Sequence, residues 1–458
     1  MAVRQLRLDR AALVSLPSEC RPAIDPADLR TGMVHIGVGA FHRAHQAVFT
    51  EAAIAAGGGD WGIVGVAPNS RTVVDALAAQ DNLFSVVTLG GADGEQARVV
   101  AALTGTAHAA SDPAGVTGLI ADPAVRIVSL TVTEKAYRPG AALLRMLLLG
   151  LAARAAADAG PITWLSCDNL PANGRALYAA LDGELSAAGW PPGLREWFAQ
   201  QVSCPSSMVD RIVPASTAAT FSSARRLLGT DDLAAVAAEP FRQWVIEDDF
   251  AAGRPDWAAA GAVFTGDVTP WEHLKLRGLN GVHSALAYLG ALAGQETIAE
   301  ALDLPGMRSL LRAYVAGEVA VSLDPPDGVS VTGYGDTVLE RFANPQIGHR
   351  TWQVAMDGSQ KLPQRVLSVV QAAGVQPHLA TLILAAWAQF VLGRTDGGGE
   401  LPLDDPCASR IRADTSTSAL FGPGGILPLA DPAHLVAVQR WRDELARHGA
   451  AEVVRRCL

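Results

Sequence analysis

Apolar residues in the first half of the chain come in short unbroken blocks, separated by stretches with helical spacing. Residues 33–38 (Met-Val-His-Ile-Gly-Val) form one block, which predicts a short buried strand. It runs into Gly37-Val38-Gly39-Ala40-Phe41 and a helical pattern over residues 43–56. A second strand is predicted at 61–66 after a Gly-rich turn, completing a β-α-β unit of about 30 residues. Further blocks at 83–88, 125–132 and 162–166 alternate with helical patterns. Strands alternating with helices imply a mainly parallel, doubly wound sheet. Beyond Thr269 the texture changes to long helical patterns at 279–292, 379–392 and 433–446, with few β-branched runs. The expected fold is α/β: a Rossmann-like doubly wound sheet domain over residues 1–268, then a mainly α-helical domain over 269–458.

A chain of 458 residues, 49% apolar and 18% charged, has enough hydrophobic material for two packed cores. The net charge of -10 and the absence of Lys/Arg runs argue against nucleic acid or an anionic membrane as a partner. Residues 141–157 are interrupted by Arg145 and Arg154, and 379–392 are too short to span a bilayer. Arg4, Arg7, Asp9 and Arg10 break up the first stretch, so no signal peptide is expected. The five cysteines (Cys20, Cys167, Cys204, Cys407, Cys457) are scattered and never form CxxC. That suits a reducing compartment, with the cytoplasm as the default, and speaks against structural zinc.

Only three of the 36 basic residues are lysines: Lys135, Lys275 and Lys361. Arginine bias explains the scarcity, yet the survivors are candidates for work that needs an amine able to lose its proton. Lys275 lies in the densest polar cluster, Glu272 to His283, with Asn280 and His283. On a helix Glu272, Lys275, Asn280 and His283 can all point broadly to one side. To accept a proton at neutral pH, Lys275 would need a pKa lowered toward about 7–8.

Gly37 and Gly39 supply two of the three glycines of a dinucleotide fingerprint, the first for a tight turn and the second for close approach of a pyrophosphate, ahead of Ala40 and Phe41. The second strand ends in Ala67-Pro68-Asn69-Ser70-Arg71, without the usual carboxylate for the ribose hydroxyls. Asn69 can bind a hydroxyl and Arg71 a 2′-phosphate, so NAD is expected with NADP left open. His35, His42 and His45 lack a nearby Cys or carboxylate at ligand spacing, and no metal is expected. With Arg43 they read instead as an anion-friendly surface around the cofactor phosphates. Ser166-Cys167-Asp168-Asn169 follows a predicted strand, where catalytic groups enter such folds. Asp210-Arg211 reads equally well as a buried structural pair or a functional one. Thr133 to Tyr137 either lines a nicotinamide or caps the sheet, and Asp357 to Arg365 suits an oxygen-rich ligand.

Taken together, these motifs resemble the polyol-specific long-chain dehydrogenases, a family with mannitol-oxidising and fructuronate-reducing branches. The likeness rests on VHIGVGAFHRAH, TVTEK, SCDN, VDRIVP, KLRxLNGxHS and DGSQKLPQR, in order along nearly the whole chain. It implies a zinc-independent oxidoreductase that uses NAD(H) or NADP(H), for which a monomer suffices. Lys275 would be the general acid/base, with Asn169 and Asn280 holding the reacting oxygen and His283 orienting the substrate. Glu272 would belong to a proton path, Asp210 and Lys361 to the substrate site, and Lys135 to the cofactor site. Residues 239–250 and 349–365 look more like the fructuronate branch, and Gln353 stands where mannitol enzymes tend to carry Arg. The favoured substrate pair is therefore D-mannonate/D-fructuronate, with mannitol/fructose or another polyol such as arabinitol or sorbitol as the alternative. Lys361, Arg365 or Arg350 would meet the carboxylate. A short-chain hydroxyacid dehydrogenase and a non-catalytic dinucleotide-binding regulator are the rivals.

Overall fold

The computed structural model describes residues 7–90, 94–132, 134–187 and 189–457. The chain divides into two compact units, Met1–Thr269 and Pro270–Leu458.

Six parallel strands carry the first unit: β1 (Thr31–Ile36), β2 (Gly62–Ala67), β5 (Leu103–His108), β6 (Ile127–Leu130), β7 (Ile162–Ser166) and β8 (Val202–Ser203). Their spatial order is β5-β2-β1-β6-β7-β8. Winding starts at β1, proceeds outward to β5, then resumes at β6 on the other side. This is the doubly wound Rossmann order, with its switch point between β1 and β6. Strands β2, β6 and β7 are buried along their whole length. Parallel strands covered on both faces are predominantly apolar, which is why they appear as nearly continuous blocks. One face packs on α2 (Gln46–Gly57) through Phe49 and Ala53, and the other on helices Pro113–Ala121, Ala142–Ala156 and Asn173–Leu185.

The block predicted at 83–88 is a strand, β3 (Phe84–Thr88), but it lies outside the main sheet. It pairs antiparallel with β4 (Gln96–Val100) and parallel with β10 (Val236–Ala238). A second small sheet joins β9 (Ser207–Asp210), β11 (Gln243–Glu247) and β12 (Val263–Thr265). Too few residues separate β3 from β4 for the crossover that parallel pairing requires. The helix predicted over 43–56 is two pieces, α1 (Ala40–Ala44) and α2, broken at His45, whose ψ is -84°.

The second unit is helical in its described residues. Its interior is built on Gly281–Leu292 and His378–Phe390, apolar almost all round and buried accordingly. Pro432–His448 begins at Asp431, whose carboxylate accepts from the Ala433 N–H at 2.8 Å. Among the described residues no helix is long and apolar enough to cross a membrane.

Candidate active site

In the first unit the turn after β1 is shaped by Gly37. Its φ is +103°, and a Cβ there would overlap the carbonyl oxygen of Thr131. Both facts demand glycine. The Gly37 N–H donates to the Val66 carbonyl at 2.8 Å, tying the turn to the end of β2. Gly39 is different: a Cβ there would meet nothing closer than the Gly37 oxygen at 3.7 Å. The protein's own packing does not require glycine at that position, and the backbone is left exposed to whatever approaches it. Ala40 and Phe41, both half-buried, open α1.

The histidines and arginine beside this turn do not form the expected anion-friendly surface. His35, His42 and His45 are fully buried, and Arg43 is 7% exposed. His42 stacks on His35 with ring centroids 3.5 Å apart. Burial pushes His35 down to about 3 and His42 well below the ordinary value, so both are neutral. Arg43 donates to the carbonyls of Ala234 and Gly39. Polar residues near a helix start resemble surface in a sequence, whereas here the strand and helix enclose them.

At the tip of β2, Asn69 is exposed and its carbonyl accepts from His108 Nε2 at 3.0 Å. Arg71 is exposed and ion-paired with Asp75 at 3.3 Å. Lys135 falls in the short turn Glu134–Tyr137, but its side chain, like Thr133, lies outside the described residues. Beyond β7, Asp168 is buried and accepts from the Val132 N–H and the Tyr137 hydroxyl, each at 2.7 Å. Tyr137 also bonds Ser166 Oγ at 2.7 Å, so the two motifs are knitted together and Asn169 is presented on the exposed side of the loop. Asp210 is buried at the end of β9, opposite Gln243. Arg211 donates to the carbonyls of Glu239 and Ala44.

In the second unit Thr269–His273 carries Glu272 and passes directly into a π-helical segment, Leu274–Asn280, with Lys275 at its second position and Asn280 at its end. Glu272, Lys275 and Asn280 are 6%, 9% and 8% exposed. An α-helix has 3.6 residues per turn, so residues five apart point in different directions. The i→i+5 winding of a π-helix brings them into line. Gly281 ends the segment, where a Cβ would lie 3.0 Å from both the Arg365 carbonyl oxygen and the Tyr314 hydroxyl. That close approach seats Leu274–Asn280 against two other π-helical segments, Val315–Val319 and Pro363–Leu367.

His283 follows on Gly281–Leu292. Its ring lies nearly parallel to Phe342, at 4.5 Å, and to His349, at 5.6 Å. Burial holds it well below its ordinary pKa, reinforced by His349, Arg365, Lys361 and Arg341. Its Nε2 and the Asn280 Oδ1 are buried without a hydrogen-bond partner. Lys361 stands 3.8 Å from Asp357 Oδ2 and is lowered by burial and by Arg365, against the pull of Asp357, Asp405 and Asp404. Arg365 is set apart by its isolation. Burial lowers its pKa, and its only side-chain hydrogen bond among the described residues goes to Ser284 Oγ at a long 3.4 Å. Arg350 is engaged elsewhere, in an exposed ion pair with Glu296. Local pattern does not place Arg341 or His349 beside His283: Arg341 stands in no motif, and His349 only opens the 349–365 stretch.

A family model described as the mannitol dehydrogenase Rossmann domain matches residues 31–259, and one described as the mannitol dehydrogenase C-terminal domain matches 267–421. The chain belongs to the mannitol dehydrogenase family. It is thereby a dehydrogenase by family, with a dinucleotide-type sheet domain and a helical domain. The D-mannonate oxidoreductase of Escherichia coli strain K12 is 38% identical, over 95% of this chain and 97% of that one. The mannitol 2-dehydrogenase of Cereibacter sphaeroides is also 38% identical, over 85% and 87%. The solved mannitol 2-dehydrogenase of Pseudomonas fluorescens, a ternary complex with NAD and D-mannitol, is 34% identical with a TM-score of 0.87 over 99% of each chain.

The buried imidazoles of this mannitol dehydrogenase family member make its stability pH-dependent. His35, His42, His283 and His349 are all lowered from 6.5 by burial. Unfolding lets each bind a proton below that value, so the stability they contribute is complete above pH 6.5 and is lost as the pH falls. Glu51, Glu318 and Asp396, raised by burial, act in the opposite sense but are three against four. The thermal midpoint is expected to fall between pH 7 and pH 5. Calorimetry in buffers of different ionisation enthalpy should detect net proton uptake on unfolding near pH 5.5, and zero uptake would contradict the assignment.

Proposed function

We propose that this chain transfers hydride between a nicotinamide dinucleotide and a secondary alcohol carbon of an open-chain sugar acid, with D-mannonate and D-fructuronate as the alcohol and ketone. Arg365 carries the choice of an acid. A half-buried guanidinium without a carboxylate partner among the described residues is poorly compensated, and an anionic substrate would supply the missing charge. A neutral polyol such as mannitol would leave it uncompensated. Lys361, a cation close enough to feel Arg365, is already beside Asp357 and serves better as a donor to substrate hydroxyls. Equal identity to a mannonate and a mannitol enzyme does not separate the two substrates, so the reading rests on the charge argument.

The cofactor reading, with residues 1–268 as the dinucleotide domain, is supported by the room left around the exposed Gly39 and by the sheet's switch point beside it. Gly37, Gly39, Ala40 and Phe41 would hold the pyrophosphate end, Asn69 a ribose hydroxyl, and Lys135 the nicotinamide side. Arg71 already has Asp75 as a partner, which favours NAD over NADP. When bound, the nicotinamide accepts or returns the hydride.

Residues 269–458 are the catalytic and substrate-binding part on this reading. Lys275 takes the hydroxyl proton as the carbinol is oxidised and returns it to the oxygen when the ketone is reduced. The amides of Asn169 and Asn280 hold that oxygen, and each such donor is worth about 10²–10³ in rate at comparable sites. His283, kept neutral, bonds a substrate hydroxyl through Nε2 without adding charge. Asp210 accepts from a further hydroxyl, and Glu272 passes protons between Lys275 and solvent. Five cysteines without a disulfide fit a reducing compartment such as the cytoplasm.

The test is absorbance at the reduced-nicotinamide band, with NADH and NADPH offered separately against fructuronate and fructose. Fast NADH oxidation with fructuronate and little with fructose is expected. Preference for fructose would overturn the acid assignment, and silence with both would overturn the substrate class.

A further inference from the structure

Three donors converge on one carbonyl oxygen, that of Gly37. The Gly39 N–H reaches it at 2.6 Å, Thr131 Oγ1 at 2.8 Å and His35 Nε2 at 3.2 Å. His35 Nε2 is also 2.9 Å from Thr131 Oγ1, and its Nδ1 is 2.8 Å from Ser129 Oγ. His35 and Ser129 are register partners across β1 and β6, and Thr131 follows on the same side of the switch point.

One assignment of protons satisfies every bond. A carbonyl oxygen can only accept, so Thr131 donates its hydroxyl proton to Gly37. His35 must carry its single proton on Nε2, directed at Thr131 and Gly37, which leaves Nδ1 to accept from the Ser129 hydroxyl. The imidazole is buried and stacked on His42, so it stays neutral and keeps this tautomer. The relay runs Ser129 to His35 to Thr131 to Gly37 with no donor or acceptor misplaced.

Its target is the weakest point of the turn. Gly37 has a glycine's freedom to rotate its peptide, and an outward-turned carbonyl would present a negative pole to anything anionic near Gly39. The Val38 N–H, on the same peptide, is held by the Val66 carbonyl at 3.2 Å. The peptide is therefore clamped from both ends.

We propose that His35, Ser129 and Thr131 are positioning residues for the dinucleotide, a proton-ordered relay that turns the Gly37 carbonyl inward and fixes the Gly37–Gly39 turn before the cofactor arrives. The proposal rests on the reading that this turn binds a dinucleotide. Preorganising a binding loop raises affinity by lowering the ordering cost.

The experiment compares the dissociation constants of NADH and ADP-ribose, by calorimetry, for the unaltered protein, Thr131→Val, Thr131→Ser and Ser129→Ala. Valine keeps the shape of threonine and removes the hydroxyl, and serine restores it. Thr131→Val should weaken both ligands about tenfold, the range of one or two lost hydrogen bonds. Thr131→Ser should stay within about threefold of the unaltered protein, with Ser129→Ala between them. Turnover at saturating NADH should change less than the KM for NADH. Equal affinities for valine and serine variants would overturn the relay, whether both are strong or both weak, and if Thr131→Val does not fold, Ser129→Ala with unaltered affinity does the same. An unaltered protein that binds neither NADH, NADPH nor ADP-ribose would instead overturn the cofactor reading beneath it.

Discussion

Replacing Lys275 with methionine is expected to lower turnover about 10²–10⁴-fold in both directions while NADH binding persists. Methionine fills the buried volume of the lysine stem, so folding should survive, and only the proton-carrying atom is lost. Alcohol oxidation should suffer most, because the hydroxyl proton has no other neutral base close by on Leu274–Asn280. The pH profile should change with it: the rise in oxidation rate as the base loses its own proton disappears, leaving a shallow dependence on hydroxide. Single-turnover measurements at the reduced-nicotinamide band, with dinucleotide affinity measured separately, check this. Full turnover in the variant would remove Lys275 from the chemistry and restore the regulator reading.

The second large effect concerns Arg365, where function and stability should move in opposite directions. Arg365→Met is expected to cut kcat/KM for fructuronate about 10²–10³-fold, since a charge-assisted contact to a carboxylate contributes roughly 2–4 kcal/mol. The same variant should be more stable than the parent when no substrate is present. A half-buried cation with one long hydrogen bond is poorly compensated, and methionine removes that cost while keeping the packing of the side-chain stem. Denaturant unfolding and steady-state kinetics on one preparation test both halves. A variant that loses stability and keeps its preference for fructuronate would mean that Arg365 is structural.

The doubly wound sheet could be read from the pattern because β1, β2, β6 and β7 are buried on both faces and are mostly apolar, with few polar residues such as His35 and Ser129 among them. Strands β9 to β12 could not, being only three to five residues long and, for β10, paired with β3 far earlier in the chain. Val236–Ala238 has a strand's role only because Phe84–Thr88 lies beside it. The burial of the histidines near the first turn is illegible in the sequence for a related reason. What makes a buried His35 tolerable is Ser129, 94 positions later, and local pattern carries no such information. In the helical unit the Lys275–Asn280 pairing was visible as residue types, while its geometry depends on a π-helical winding that no periodicity announces. Arg365 was one of three candidate cations, and only burial separated it from the exposed Arg350.

The winding of Leu274–Asn280 also limits how this stretch can change over time. A π-helical segment amounts to an α-helix with a residue inserted and never expelled, so the helices on either side are out of phase with each other. Removing one residue would let the segment relax into α form and turn everything before it by about 100° relative to everything after. Glu272 and Lys275 would then swing away from Asn280 and His283 although no side chain had been altered. Point substitutions can explore this segment one side chain at a time. A change in its length by a single codon alters the angular address of half the proposed catalytic set at once, so the number of residues here is as much a part of the site as their identity.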